Sequence, residues 1–190
     1  MTEEKIYRNV ELIANEDESR EISGRAVVFN SWSRDLGGFI EIIKPESITP
    51  ELLKRSDIVM CINHDENKMV ARYRNGKGTL KLELDNEGLN FRFEAPRTQL
   101  GDELLYNIRE GNLFECSFAF TIPSNGDYWF REDGQLKREI RSINGLYDCS
   151  IVNHAAYPET SCSARFLEVK ANVDEIDKAL ETIKNEIDNL

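Results

Sequence analysis

Between Thr79 and Ala95 the chain reads TLKLELDNEGLNFRFEA, and its apolar residues fall on every second position. Leu80, Leu82 and Leu84 alternate with charged residues, Asn86, Glu87 and Gly88 form a turn signal, and Leu89, Phe91, Phe93 and Ala95 resume the alternation. Successive side chains of a strand point to opposite faces, so the pattern fits an antiparallel hairpin with one face in a core and one in water. Such a hairpin needs neighbouring strands to cover its apolar face. The stretch therefore commits the chain to a sheet protein.

The same period returns in GNLFECSFAF, Gly111 to Phe120, bounded by Gly111 in front and Pro123 behind. Phe114, Cys116, Phe118, Phe120 and Ile122 share one face; Leu113, Glu115, Ser117, Ala119 and Thr121 share the other. Further strands are expected over 5–14, 20–29, 39–43, 57–64, 69–74, 128–132, 136–142 and 146–154, with Gly24 marking a bulge or a close backbone approach in the second. Residues 48–55 have the makings of a short helix. A longer one follows Pro96, with Thr98 as its cap, Leu100, Leu104 and Ile108 at helical spacing, and Gly111 as its stop. Many short strands with local turns favour a barrel or sandwich, and a barrel removes exposed edges. The expected fold is mainly β with helices (α+β): an antiparallel β-barrel over residues 1–170, with one internal helix.

Residues 171–190 differ in kind. Val173, Ile176, Leu180, Ile183, Ile187 and Leu190 step by three and four between acidic residues and lysines. This predicts a C-terminal amphipathic helix, too short to stand alone, that packs on its own barrel, on a second copy or on a partner.

Charge and cysteines narrow the function. Against 24 lysines and arginines stand 35 aspartates and glutamates, a formal net charge of -11 that argues against a nucleic acid or an anionic membrane as partner. The N-terminus lacks the apolar run of a signal peptide, and no stretch approaches the roughly 20 apolar residues of a membrane span, so a cytoplasmic location is expected. Cys61, Cys116, Cys149 and Cys162 form no C-x-x-C pair and no finger-like set with histidine, so neither a metal nor a cofactor is expected. In a reducing compartment they read as small buried apolar residues.

Chemistry is then sought in hydroxyls and imidazoles. Ser117 stands among small and polar neighbours on the face opposite the aromatic residues, but a serine hydroxyl is a weak nucleophile until a base takes its proton. Only His64 and His154 offer an imidazole. His64 ends an apolar strand at a polar loop, a place that suits a structural histidine as well as a general base. Its ring would need an acceptor on the other nitrogen, and Asp65, Glu115, Asp148 and His154 are the candidates. Asp65 would have to fold back to meet the ring, and Glu115 reads equally well as a solvated carboxylate. Asp148 and His154 lie about 20 Å apart on an unbroken strand, so both cannot serve one site. Cys116, next to Ser117, is the better intrinsic nucleophile but faces the aromatic side.

Taken in order, GRAVVFNSWS, GFIEIIKPESI, NHD, DNEGLNFRFEAP, IREGNLFECSFAF and LYDCSIVNHAAYPETS resemble the prohead proteases of tailed bacteriophages, from about Gly24 to Arg165. The resemblance implies a serine endopeptidase with a fold similar to herpesvirus assemblin, a β-barrel wrapped by helices. Such enzymes cut the scaffolding portion of the major capsid protein, or a separate scaffold, inside the immature capsid in the host cytoplasm. It places the family histidine on His64, the serine on Ser117 and the third member on Asp148, where the family usually carries glutamate. The herpesvirus enzymes resemble a Ser-His-His arrangement, which keeps His154 as an alternative third member, with Glu115 behind it. Arg141 and Arg165 are candidate oxyanion donors. Expected partners are the capsid or scaffold protein and further copies of this chain, with no nucleic acid and no membrane. The competing expectation is an inactive capsid-assembly or scaffold-binding protein acting through its C-terminal helix.

Overall fold

A computed structural model describes residues 13–14 and 19–153. Strands are β1 (Ile13–Ala14), β2 (Glu21–Val28), β3 (Phe39–Ile43), β4 (Asp57–Ile62), β5 (Asp65–Arg74), β6 (Lys77–Gly78), β7 (Lys81–Leu84), β8 (Gly88–Glu94), β9 (Glu115–Thr121), β10 (Asp127–Glu132), β11 (Gln135–Ile140) and β12 (Gly145–Val152); helices are α1 (Pro50–Arg55) and α2 (Gln99–Arg109). The chain is mainly β with few helices. No helix among the described residues is long and apolar enough to cross a membrane. Of the strand expected over 5–14 only Ile13–Ala14 is described; residues 5–12 and the C-terminal amphipathic helix lie outside the described residues.

Local signals fold as the sequence requires. Leu82 pairs with Phe91 and Leu84 with Leu89 across the predicted hairpin, and Leu89, Phe91 and Phe93 are buried. Asp85 makes its turn, accepting the Glu87 and Gly88 amides at 2.8 and 2.9 Å through one carboxylate oxygen. Burying a leucine or phenylalanine so fully contributes about 1.5–3 kcal/mol. Thr98 caps α2 by accepting the Gly101 amide, and Gly111 takes a left-handed φ of +70° just past its end. Gly24 sits beside the bulge in β2, where the register with β8 shifts between Arg25 and Val27.

Long-range pairing departs from the expected antiparallel barrel. The described strands form three sheets, in the orders β1-β2-β8-β7, β10-β11-β3 and β6-β5-β4-β12-β9, and none closes on itself. β2 and β9 approach one another without a hydrogen-bonded ladder, so the first and third sheets abut rather than join. Two pairs, β12 with β4 and β11 with β3, are parallel. Parallel neighbours need long connections, and here β12 returns from far down the chain to insert between β4 and β9.

One apolar core serves all three sheets and both α-helices. It takes Ile22 and Val27 from β2, Ile58 and Met60 from β4, Phe91 and Phe93 from β8, Leu104 and Ile108 from α2, Ile140 from β11, and Cys149 and Ile151 from β12. Cys116, Phe118, Phe120 and Ile122 pack against it, as their alternation predicts. Phe114 and Leu113 exchange the expected roles: Phe114 is exposed and Leu113 is buried. Both precede the first residue of β9, where the strand period does not yet apply.

Candidate active site

Asp148 and Ser150 share one face of β12, an interior strand of the five-stranded sheet, next to its edge strand β9. The core takes the intervening Cys149. On one side β9 sets Ala119 opposite Asp148 and Ser117 opposite Ser150; on the other side β4 sets Val59 opposite Asp148 and Cys61 opposite Ser150. Ser117 is half-buried, on the face away from the apolar core. Diagonal neighbours on adjacent strands lie about 7–8 Å apart, which is the relation of Ser117 to Asp148.

His64 arrives from a turn, not from the strand end that its apolar lead-in predicts. β4 stops at Ile62 and β5 begins at Asp65, so Asn63 and His64 are the two central residues of a tight hairpin, with φ values of +53° and +56°. That pair of left-handed residues is the geometry of a two-residue hairpin loop, and asparagine tolerates it well. Asn63 also ties the turn to β12. Its amide donates to the Ile151 carbonyl at 3.0 Å, and its side-chain oxygen accepts the Asn153 amide at 3.2 Å.

So held, His64 places Nδ1 2.9 Å from Oδ1 of Asp148. An ionised carboxylate only accepts, so the shared hydrogen belongs to Nδ1, and in the neutral form of the ring it is Nε2 that carries the lone pair. The ring is partly exposed, at 28%, against 13% for the carboxylate. Asp148 Oδ1 also accepts a hydrogen bond from Ser150 Oγ at 2.8 Å, and Ser150 Oγ lies 3.1 Å from Cys61 Sγ. Ser150 is missing from the sequence reading. Its position two residues after Asp148, on the same strand face, is the signal that could have found it.

The other described candidates are engaged with different partners. Asp65 accepts hydrogen bonds from the backbone and side-chain nitrogens of Asn67 at 3.0 and 3.1 Å, which holds its carboxyl below the usual carboxylate range. Glu115 is not a solvated carboxylate. It is buried and paired with Arg34 at 2.8 Å. Arg141 is bound to Glu139 and lies over the Tyr128 ring at 4.5 Å. Burial alone pushes the Cys116 thiol far up, which suits the apolar role predicted for it. β12 runs without a register break from Asp148 to Val152, its one irregularity lying between Leu146 and Asp148. His154 and Arg165 lie outside the described residues.

Among the described residues no hydrogen bond joins His64 to Ser117, and no three His, Cys, Asp or Glu side chains converge as metal ligands would. A cleft of about 480 Å³ opens beside the hairpin that carries His64, lined by Ile62 and Lys68 with Leu100, Leu104, Leu113 and Asn153. No curated protein matches the chain in sequence. The family model described as caudovirus prohead serine protease matches residues 8–178, nearly the whole length. By that match the chain belongs to the caudovirus prohead serine protease family.

Proposed function

We propose that His64, Ser117 and Asp148 form the catalytic triad of this prohead protease, and that its substrate is the scaffolding portion of the major capsid protein or a separate scaffold. The observation that carries the reading is the 2.9 Å contact between His64 Nδ1 and Asp148 Oδ1, on the strand next to Ser117. Asp148 keeps the hydrogen on Nδ1, which leaves Nε2 as the base. Nε2 takes the proton of Ser117 Oγ as that oxygen attacks the peptide carbonyl. The imidazolium, stabilised beside the carboxylate, returns the proton to the leaving amine. Water then attacks the acyl ester, His64 again acting as base, and Ser117 is regenerated. In free enzymes such base–nucleophile contacts are often long, and they tighten when substrate binds.

Donors for the developing oxyanion in this reading are backbone amides, with Arg165 as a further candidate; Arg141 is engaged by Glu139. The C-terminal amphipathic helix over 171–190, self-association and residence inside the prohead belong to the same reading. Ser117→Ala, coexpressed with the major capsid protein, should keep the fold and abolish cleavage of that protein. Normal processing by the variant would end the proposal. Truncation after Lys170 separates it from a pure binding role, since a protease should still cut a supplied substrate.

A further inference from the structure

We propose that Ser150 is a positioning residue of the protease, fixing the Asp148 carboxylate from beneath while Cys61 fixes Ser150 in turn. The inference rests on the triad assigned above.

Ser150 is fully buried. A buried hydroxyl without partners is costly, so its single proton must be placed, and it lies on the same Asp148 oxygen that His64 holds. With that proton committed, Ser150 Oγ can only accept from Cys61, so the thiol donates across 3.1 Å. Desolvation raises the Cys61 thiol to about 11, so the hydrogen is present at neutral pH. The order is Cys61 Sγ–H to Ser150 Oγ, Ser150 Oγ–H to Asp148 Oδ1, and His64 Nδ1–H to that same oxygen.

The register makes this arrangement stiff. Ser150 sits on an interior strand with Cys61 and Ser117 as its lateral partners. An aspartate carboxylate turns through a broad terminal torsion, and two donors converging on one oxygen restrict which oxygen meets the ring. The same burial separates the two serines in role. Ser117 is half-buried and Ser150 is sealed, with its proton on a carboxylate, so Ser150 positions and does not attack.

The test uses the full chain and a fluorophosphonate probe, following adduct formation at Ser117 by intact mass across a pH series. Ser150→Ala should slow labelling by about 10–100-fold at saturating probe, with half-saturation within about two-fold of wild type. Removing a donor from the carboxylate concentrates its charge on His64 and favours the protonated ring, so the acidic limb should move to higher pH by about 0.5. Ser150→Thr, which keeps the hydroxyl, should restore most of the rate and the original limb. If Ser150→Ala does not fold, Cys61→Ala carries the test, with a smaller shift of the limb in the same direction. A lowered melting temperature with wild-type rate and limb would overturn the positioning role and leave the triad standing. Labelling that persists in Ser117→Ala would overturn the triad itself, whatever Ser150 does.

Discussion

Two interior strands, β11 and β12, stand in the same local topology and carry polar clusters of opposite character. Each has one parallel and one antiparallel neighbour: β3 and β10 for β11, β4 and β9 for β12. On β11, Arg138 is buried between Glu41 and Asp127, bonded at 3.1 and 2.9 Å, with its guanidinium 5.2 Å from the Trp129 ring. On β12, Asp148 Oδ1 accepts from Ser150 along the strand and from His64 of the β4–β5 turn, and the imidazole stays partly open to solvent. The first cluster sets a full positive charge against two carboxylates, and nothing in it is poised to move a proton. The second holds one ring nitrogen and leaves the other available for chemistry. On the proposed triad, the same sheet geometry supports a lock in one place and an acid–base device in the other.

The largest effect that would break this contrast belongs to Asp148. Asp148→Asn can offer Nδ1 an N–H and so favour the wrong tautomer, and scaffold cleavage should fall by about 10⁴-fold with the fold intact. Retention of a tenth of the rate in a timed cleavage assay would remove Asp148 from the machinery. The reciprocal change is on β11. Arg138→Ala leaves two carboxylates without their cation in a buried place and should cost about 3–5 kcal/mol in denaturant unfolding. At temperatures where that variant is folded, fluorophosphonate labelling should match wild type, and a large rate loss there would dissolve the distinction.

Asn63 sharpens the comparison, because it has a counterpart in neither cluster. Asn63→Ala forces a left-handed conformation on a residue that dislikes it, costing about 1–2 kcal/mol, and also loses the tie to Asn153. Asn63→Gly removes the backbone cost and keeps only the lost tie. Thermal melts should therefore separate the two variants, while both slow catalysis by a few-fold if the turn holds His64 in place.

The smallest expected effect concerns the thiols beneath the site. Burial holds Cys61 near 11 and pushes Cys149 well up from an ordinary value near 9. The folded chain thus keeps protons that the unfolded chain loses between those values. That contribution to stability is fully present below about pH 9 and declines as pH climbs toward 11. Alkylation with iodoacetamide at pH 8, in a Cys162→Ser background, should be slow for the native chain and fast in denaturant. Rapid native labelling of Cys61 would contradict its place under Ser150.

Much of this organisation was legible in local pattern. Leu80 to Ala95 announced a hairpin, Thr98 and Gly111 marked the ends of α2, and the alternation through Cys116, Phe118 and Phe120 put Ser117 on the face away from the core. The exchange of Phe114 and Leu113 shows where this kind of reading stops, since a period predicts faces only inside the strand. The Glu115–Arg34 pair could not be read, because Arg34 comes from a distant loop and carries no periodic signal. Ser150 escaped notice for a related reason. A small polar residue in a strand says nothing of its burial until its neighbours are known.

By itself, the amino-acid order determined which segments are strands, which faces they bury and which few side chains have usable chemistry, because these follow from steric and hydrophobic preferences between near neighbours in the chain. Tertiary structure alone decided that β12 lies between β4 and β9, that a left-handed turn swings His64 onto Asp148, and that Ser150 and Cys61 support that carboxylate. Those contacts join residues more than eighty positions apart or depend on strands that do, and no short-range period encodes which distant strand will fill a given edge.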